Sequence, residues 1–130
     1  DHAAVREEPG FVWFFSMERG PLHDKRLTVK QNRAKTLKIL GEEEFEFQTC
    51  SHGAMQVMGS TAREMGFTGT EQELYVPEVN LEYGCKYLKV CIRREDDNLQ
   101  RGLLRWNGGG NPHYDDEVLA KYEILKALEV

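Results

Sequence analysis

At 130 residues, with 40% hydrophobic and 30% charged residues, the chain has the size of one domain and can bury about two-thirds of its unfolded surface. A net charge of -5 offers no general attraction to nucleic acid, whose binding rests on Lys and Arg neutralising phosphates. No apolar run approaches the roughly 20 residues needed to span a bilayer, so a soluble, monomeric single domain over residues 1–130 is the expectation.

Residues 11–17 are nearly all apolar or aromatic, which suits a helix buried on most sides. Glu18 stands at the end of that run, and Arg19, Gly20 and Pro21 follow it. Gly favours a helix C-cap and Pro cannot continue the hydrogen-bond ladder, so the helix stops there and leaves a carboxylate where core meets surface. Residues 22–41 are basic, with Lys25, Arg26, Lys30, Arg33, Lys35 and Lys38, before the sign reverses at Glu42, Glu43, Glu44 and Glu46. A solvated face is the simplest account of such charge runs. Their middle, around residues 32–40, suits a short helix ended by Gly41.

Glu44, Phe45, Glu46, Phe47 and Gln48 alternate polar and apolar, the pattern of a strand or an extended hairpin arm. Met55, Met58, Ala62 and Met65 then follow helical spacing and predict a helix over residues 53–66, capped by Gly66. Pro77 at a first helical turn opens a helix through about Arg94, with Leu81, Gly84, Cys85, Leu88 and Ile92 on one stripe. A further helix is expected from near Asn98 to Trp106, and a last one from Asp115 after the glycine-rich loop at residues 107–112. Three cysteines cannot all pair within the chain, and Cys85 and Cys91 on one helix would lie about 9 Å apart along its axis, so a disulfide framework is not expected. The chain opens on Asp1 without a signal-peptide pattern, which suits a domain trimmed from a longer protein.

Cleaving a glycosidic bond requires a carboxylic acid that stays protonated near neutral pH, and apolar surroundings raise a carboxyl pKa in that direction. Glu18 has such surroundings in Trp13, Phe14, Phe15 and Met17. The segment from Ser51 through His52, Gly53, Ala54, Met55, Gln56, Val57, Met58 and Gly59, continuing to Thr61, Ala62, Arg63 and Glu64, resembles the Gly-Leu-Met-Gln core of the soluble lytic transglycosylase and goose-type lysozyme superfamily. The likeness is closest to the phage and bacterial branch with Ser-Trp-Gly-Leu-Met-Gln-Val-Met-Gly. Tyr75 to Leu88, containing Pro77, Glu78, Asn80, Gly84, Tyr87 and Leu88, is similar to the family's "dPe.Ni..G..YL" helix. Trp106, Asn107, Gly108 and Gly109 are similar to its "YNaG" element, with Tyr114 where the family often carries a cleft tyrosine.

The resemblance implies a lysozyme-like α+β fold, mainly helical, with a small extended lobe near residues 42–50 flanking an active-site cleft. It implies that Glu18 is the catalytic acid and that bacterial peptidoglycan is the substrate, in the periplasm or outside the cell, within a phage virion or as an endolysin. Ser51 and Gln56 would bind sugar N-acetyl and hydroxyl groups, Met58 would both pack and touch substrate, and Asn107 and Tyr114 would line the cleft. Each has a plainer account: capping by Ser51, a polar helix face for Gln56, core packing for Met58, and left-handed turn geometry for Asn107. No cofactor is implied. His23, His52, His113 and Cys50 lack the close paired spacing of zinc motifs, and Cys50 with His52 has no third group to orient a nucleophilic pair.

Two chemistries remain open at this level. A lytic transglycosylase needs one Glu, whereas an inverting hydrolase needs a second carboxylate about 6.5–9.5 Å from the acid, for which Glu44 is the candidate. Arg19, where the family has Ser, also leaves open a domain that binds glycan without cutting it, such as a phage tail structural module.

Overall fold

The computed structural model describes residues 5–7 and 24–129; the apolar run at residues 11–17 and Glu18 lie outside the described residues. Its elements, in order, are β1 (Val5–Glu7), α1 (Val29–Leu40), α2 (Glu42–Thr49), β2 (Cys50–His52), β3 (Val57–Met58), α3 (Gly59–Glu64), α4 (Glu71–Tyr75), α5 (Pro77–Arg94), α6 (Leu99–Asn107) and α7 (Tyr114–Ala127). The architecture is α+β and mainly helical, as expected. Two compact units divide the chain, Asp1–Gly84 and Cys85–Val130, with the boundary inside α5.

In the first unit, α1 begins with a capping box: the Gln31 N–H donates to Thr28 Oγ1 at 3.2 Å, and the Thr28 N–H donates to Gln31 Oε1 at 2.8 Å. Asn32, fully buried, ties the preceding loop to this helix by accepting the Asp24 N–H at 3.0 Å and donating to the Asp24 carbonyl at 3.1 Å. Gly41, at φ +85°, ends α1 and lets α2 start at once. The strand expected at residues 44–48 is therefore a helix. Glu42, Glu43 and Glu44 fall in its first turn, where negative charge meets the positive end of the helix dipole, and this outweighs a five-residue alternation.

The extended structure lies later, at residues 50–58. β2 pairs antiparallel with β3, Ser51 opposite Met58 and His52 opposite Val57, and β1 pairs on the other edge of β2. The helix expected over residues 53–66 is correspondingly shortened to α3. Gly53 at φ +74° and Gln56 at φ +51° turn the chain left-handed where a helix would need negative φ, and the Gln56 N–H closes the turn on the Gly53 carbonyl at 3.0 Å.

Phe47, Val57, Ala62, Phe67 and Leu74 form the core of this unit, with Met55, Val79 and Tyr83 packed against it. α3 approaches α2 so closely that a Cβ at Gly59 would lie 2.0 Å from the Phe47 carbonyl oxygen. The stripe expected on α5 is shifted: Leu81 and Cys85 are exposed, while Asn80, Gly84 and Cys91 are buried. An asparagine takes a core position because all its polar atoms find partners there.

In the second unit Asn98 caps α6, accepting the Arg101 N–H at 2.9 Å, and Gly108 at φ +78° ends it. Gly102 permits close crossing of α5, where a Cβ would meet Ile92 Cγ1 at 2.5 Å. Tyr87 packs on Trp106 with ring centroids 5.6 Å apart. No helix among the described residues is long and apolar enough to cross a membrane.

Candidate functional site

The turn between β2 and β3 gathers most of the polar residues singled out from the sequence. Ser51 is buried on β2 and donates its hydroxyl to Gln56 Oε1 at 2.9 Å; the plainer role expected for it, capping a helix over residues 53–66, falls away because β2 and a turn stand there. The Gln56 Nε2 donates to the Gly53 carbonyl at 2.8 Å. These bonds hold the Gln56 amide in one orientation at the exposed edge of the turn, on a backbone conformation costly for any residue but glycine. Met58 is buried on β3 directly opposite Ser51. A fixed amide beside a hydroxyl is uncharged and suits neutral polar groups such as sugar hydroxyls and acetamides.

Asn80 supports this turn from α5. Its Oδ1 accepts the Met55 N–H at 2.9 Å, and its Nδ2 donates to the His52 carbonyl at 2.9 Å and to the Leu74 carbonyl at 3.1 Å. Contact with Gly53 is so close that a Cβ there would lie 2.3 Å from Asn80 Nδ2. Gly84, one turn further along α5, leaves room for Met55, whose sulfur would lie 2.5 Å from any added Cβ.

Beneath the turn, His52 is fully buried, stacked on Phe47 at 4.8 Å, and its Nε2 donates to the Phe47 carbonyl at 2.8 Å. Its Nδ1 has no hydrogen-bond partner among the described residues and stands 3.7 Å from Glu71 Oε1. Burial holds the imidazole below its ordinary pKa, outweighing the Phe47 carbonyl and the Glu71 carboxylate, which favour the charged form. Tyr75 donates its hydroxyl to the same Glu71 oxygen, and its own pKa is raised by burial and by that carboxylate. A neutral His52 is thus a structural member of the core.

Glu44 lies on α2. Arg63 from α3 clasps its carboxylate, Nε to Oε2 at 3.0 Å and Nη2 to Oε1 at 2.9 Å, while Gln48 Nε2 adds a bond to Oε2 at 2.7 Å. Partial burial would raise this carboxyl's pKa, but the hydrogen bonds from Arg63 and Gln48 outweigh it and hold the group below its ordinary value. Arg63 also donates to the Phe67 and Gly69 carbonyls and stacks over the Phe47 ring at 4.4 Å. The solvated acidic run expected here is therefore broken at Glu44, whose pair joins α2, α3 and the loop after α3.

Asn107 and Tyr114 belong to the second unit. Asn107 ends α6, and its Oδ1 accepts the Asn111 N–H at 2.7 Å, bracing the glycine-rich loop. Tyr114 is half-buried at the first position of α7. The structure thus groups Ser51, Gln56 and Met58 on one hairpin and ties Glu44 to Arg63. Sequence reading missed Asn80, Arg63 and Glu71 as supports; the signal for Asn80 was a polar residue at a buried helical position, two residues after Glu78 in a segment already set apart.

A family model, Transglycosylase SLT domain, matches residues 30–123. No curated protein and no solved structure gave a match.

Proposed function

The chain belongs to the Transglycosylase SLT domain family, an enzyme family of the lytic transglycosylase type acting on peptidoglycan, and from that premise we propose that it cuts the MurNAc-GlcNAc β-1,4 bond without water, with Glu18 as its acid. In this scheme the Glu18 carboxylic acid gives its proton to the glycosidic oxygen as the bond from C1 to that oxygen breaks, leaving positive charge at C1. The Glu18 carboxylate then takes the proton of the muramic acid C6 hydroxyl as that oxygen bonds to C1. A 1,6-anhydro end forms and the acid is regenerated.

The observation that carries the choice of one acid over two is the Arg63 clasp on Glu44. Both carboxylate oxygens already accept from Arg63 and one also accepts from Gln48, and these charge-assisted bonds hold the group below its ordinary pKa, which weakens it as a base for activating a water. Ser51 and Gln56 serve as neutral hydrogen-bonding groups for the glycan, with Met58 behind them. For Asn107 and Tyr114, in the second unit, a role in glycan contact rests on the resemblance alone. The resemblance of residues 51–64 supports the phage and bacterial branch, and the wall substrate places the work in the periplasm or outside the cell.

The test pairs product analysis with mutation. Purified wall digested by the protein yields anhydro-muramic ends, and Glu18→Gln abolishes their release while keeping the thermal midpoint within a few degrees of the parent. Undiminished release by Glu18→Gln removes Glu18 from the chemistry; binding of wall without any fragments indicates a non-catalytic module.

A further inference from the structure

We infer that Asn80 is the positioning residue for Gln56, setting the place of the substrate-facing amide through the backbone of the turn at residues 53–56. The inference rests on the reading of that turn as a glycan contact. Asn80 touches no candidate substrate group itself. It is 1% exposed, and its side-chain hydrogen bonds to the Met55 N–H and to the His52 and Leu74 carbonyls all end on main-chain groups.

The geometry makes the coupling direct. The bonds to the His52 carbonyl and the Met55 N–H grip the chain on either side of Gly53 and Ala54. Gln56 follows Met55 immediately, and its side chain bonds back to the Gly53 carbonyl at 2.8 Å, so the gripped segment also sets the direction of the amide. The third bond, to the Leu74 carbonyl, ties the assembly to the end of α4. Gln56 itself sits at φ +51°, a conformation that persists only where its surroundings hold it, and Asn80 adds to the Ser51 and Gly53 bonds by fixing the two residues on which the turn stands, His52 and Met55.

Asparagine is required because the site asks for one acceptor and two donors on one planar group. Aspartate keeps the acceptor for Met55 but turns a carboxylate oxygen toward two carbonyl oxygens. The turn then shifts away from α5, and a shift of about 1 Å in a catalytic contact costs on the order of a hundredfold in rate.

The experiment is a double-mutant cycle on release of fragments from purified peptidoglycan, with the thermal midpoint measured for each protein. Asn80→Asp is expected to lower kcat about a hundredfold with a small change in KM, and Gln56→Ala to do the same. In the Gln56→Ala background, adding Asn80→Asp is expected to lower kcat by less than about threefold, since Asn80 acts through the amide already removed. Leu103→Ala in the second unit, a destabilised control, keeps the parent's kcat per folded molecule. Should Asn80→Asp not fold, Asn80→Ser carries the same cycle. Multiplying effects of the two substitutions would overturn the positioning role while leaving the reaction in place, whereas absence of fragments from the parent protein would overturn the reaction itself. A loss of kcat in Leu103→Ala equal to that in Asn80→Asp would also overturn it, since lost stability alone would then explain the effect.

Discussion

Arg63 holds Glu44 through two parallel N–H to oxygen bonds, at 3.0 Å and 2.9 Å, across 19 residues of sequence. This pair, with side chains only 21% and 29% exposed, joins two helices and stacks its guanidinium on Phe47. Its place in the molecule is that of a brace. Glu44→Gln removes one charge and leaves Arg63 with the Phe67 and Gly69 carbonyls, so a loss of about 2 kcal/mol is expected, between the values for surface and buried pairs. Chemical denaturation would measure it. The same variant is expected to release anhydro ends as the parent does; loss of cleavage at unchanged stability would return Glu44 to the chemistry.

The pH dependence of stability follows from the same carboxylate and from His52. The folded pKa of Glu44 is lowered, so its contribution is present above the unfolded value and is lost as pH falls through the folded value. His52 is also lowered from 6.5, which makes its folded form neutral. Its contribution is complete above the unfolded value of 6.5 and declines as pH falls toward the folded value, because the unfolded chain takes the proton first. A thermal midpoint that drops between pH 7 and pH 5 is therefore expected, with a flatter profile in His52→Gln. An unchanged slope in that variant would show that His52 titrates alike in both states.

Two glycines separate packing from backbone geometry. Gly59→Ala drives a Cβ to 2.0 Å from a main-chain oxygen of α2, which cannot move without shifting the helix, and a loss of about 3 kcal/mol or more is expected. Gly66→Ala meets no atom within 4 Å but must hold φ at +98°, and a loss of about 1–2 kcal/mol is expected. Equal losses in calorimetry would contradict the close approach of α3 to α2.

Helix boundaries were legible where local chemistry marks them. Gly41 ends α1, Pro77 opens α5 and Asn98 caps α6. Where a segment's fate depended on distant partners, periodicity misled. Met55 and Met58 share helical spacing, yet Asn80, 25 residues from Met55, holds a turn at residues 53–56 that puts Met55 in the turn and Met58 on β3. Phe45 and Phe47 alternate as in a strand, yet the acidic first turn and the packing against α3 make them helical. For the candidate site, the residues of the hairpin were legible because they lie close together in sequence, and the braces Asn80 and Arg63 were not, because their partners come from other elements.

The proposed non-hydrolytic cleavage with one acid is decided by the end chemistry of fragments released from purified peptidoglycan. Mass spectrometry should find 1,6-anhydro-muramic ends, each lighter by one water than a hydrolytic product. Reducing ends carrying that water would contradict it.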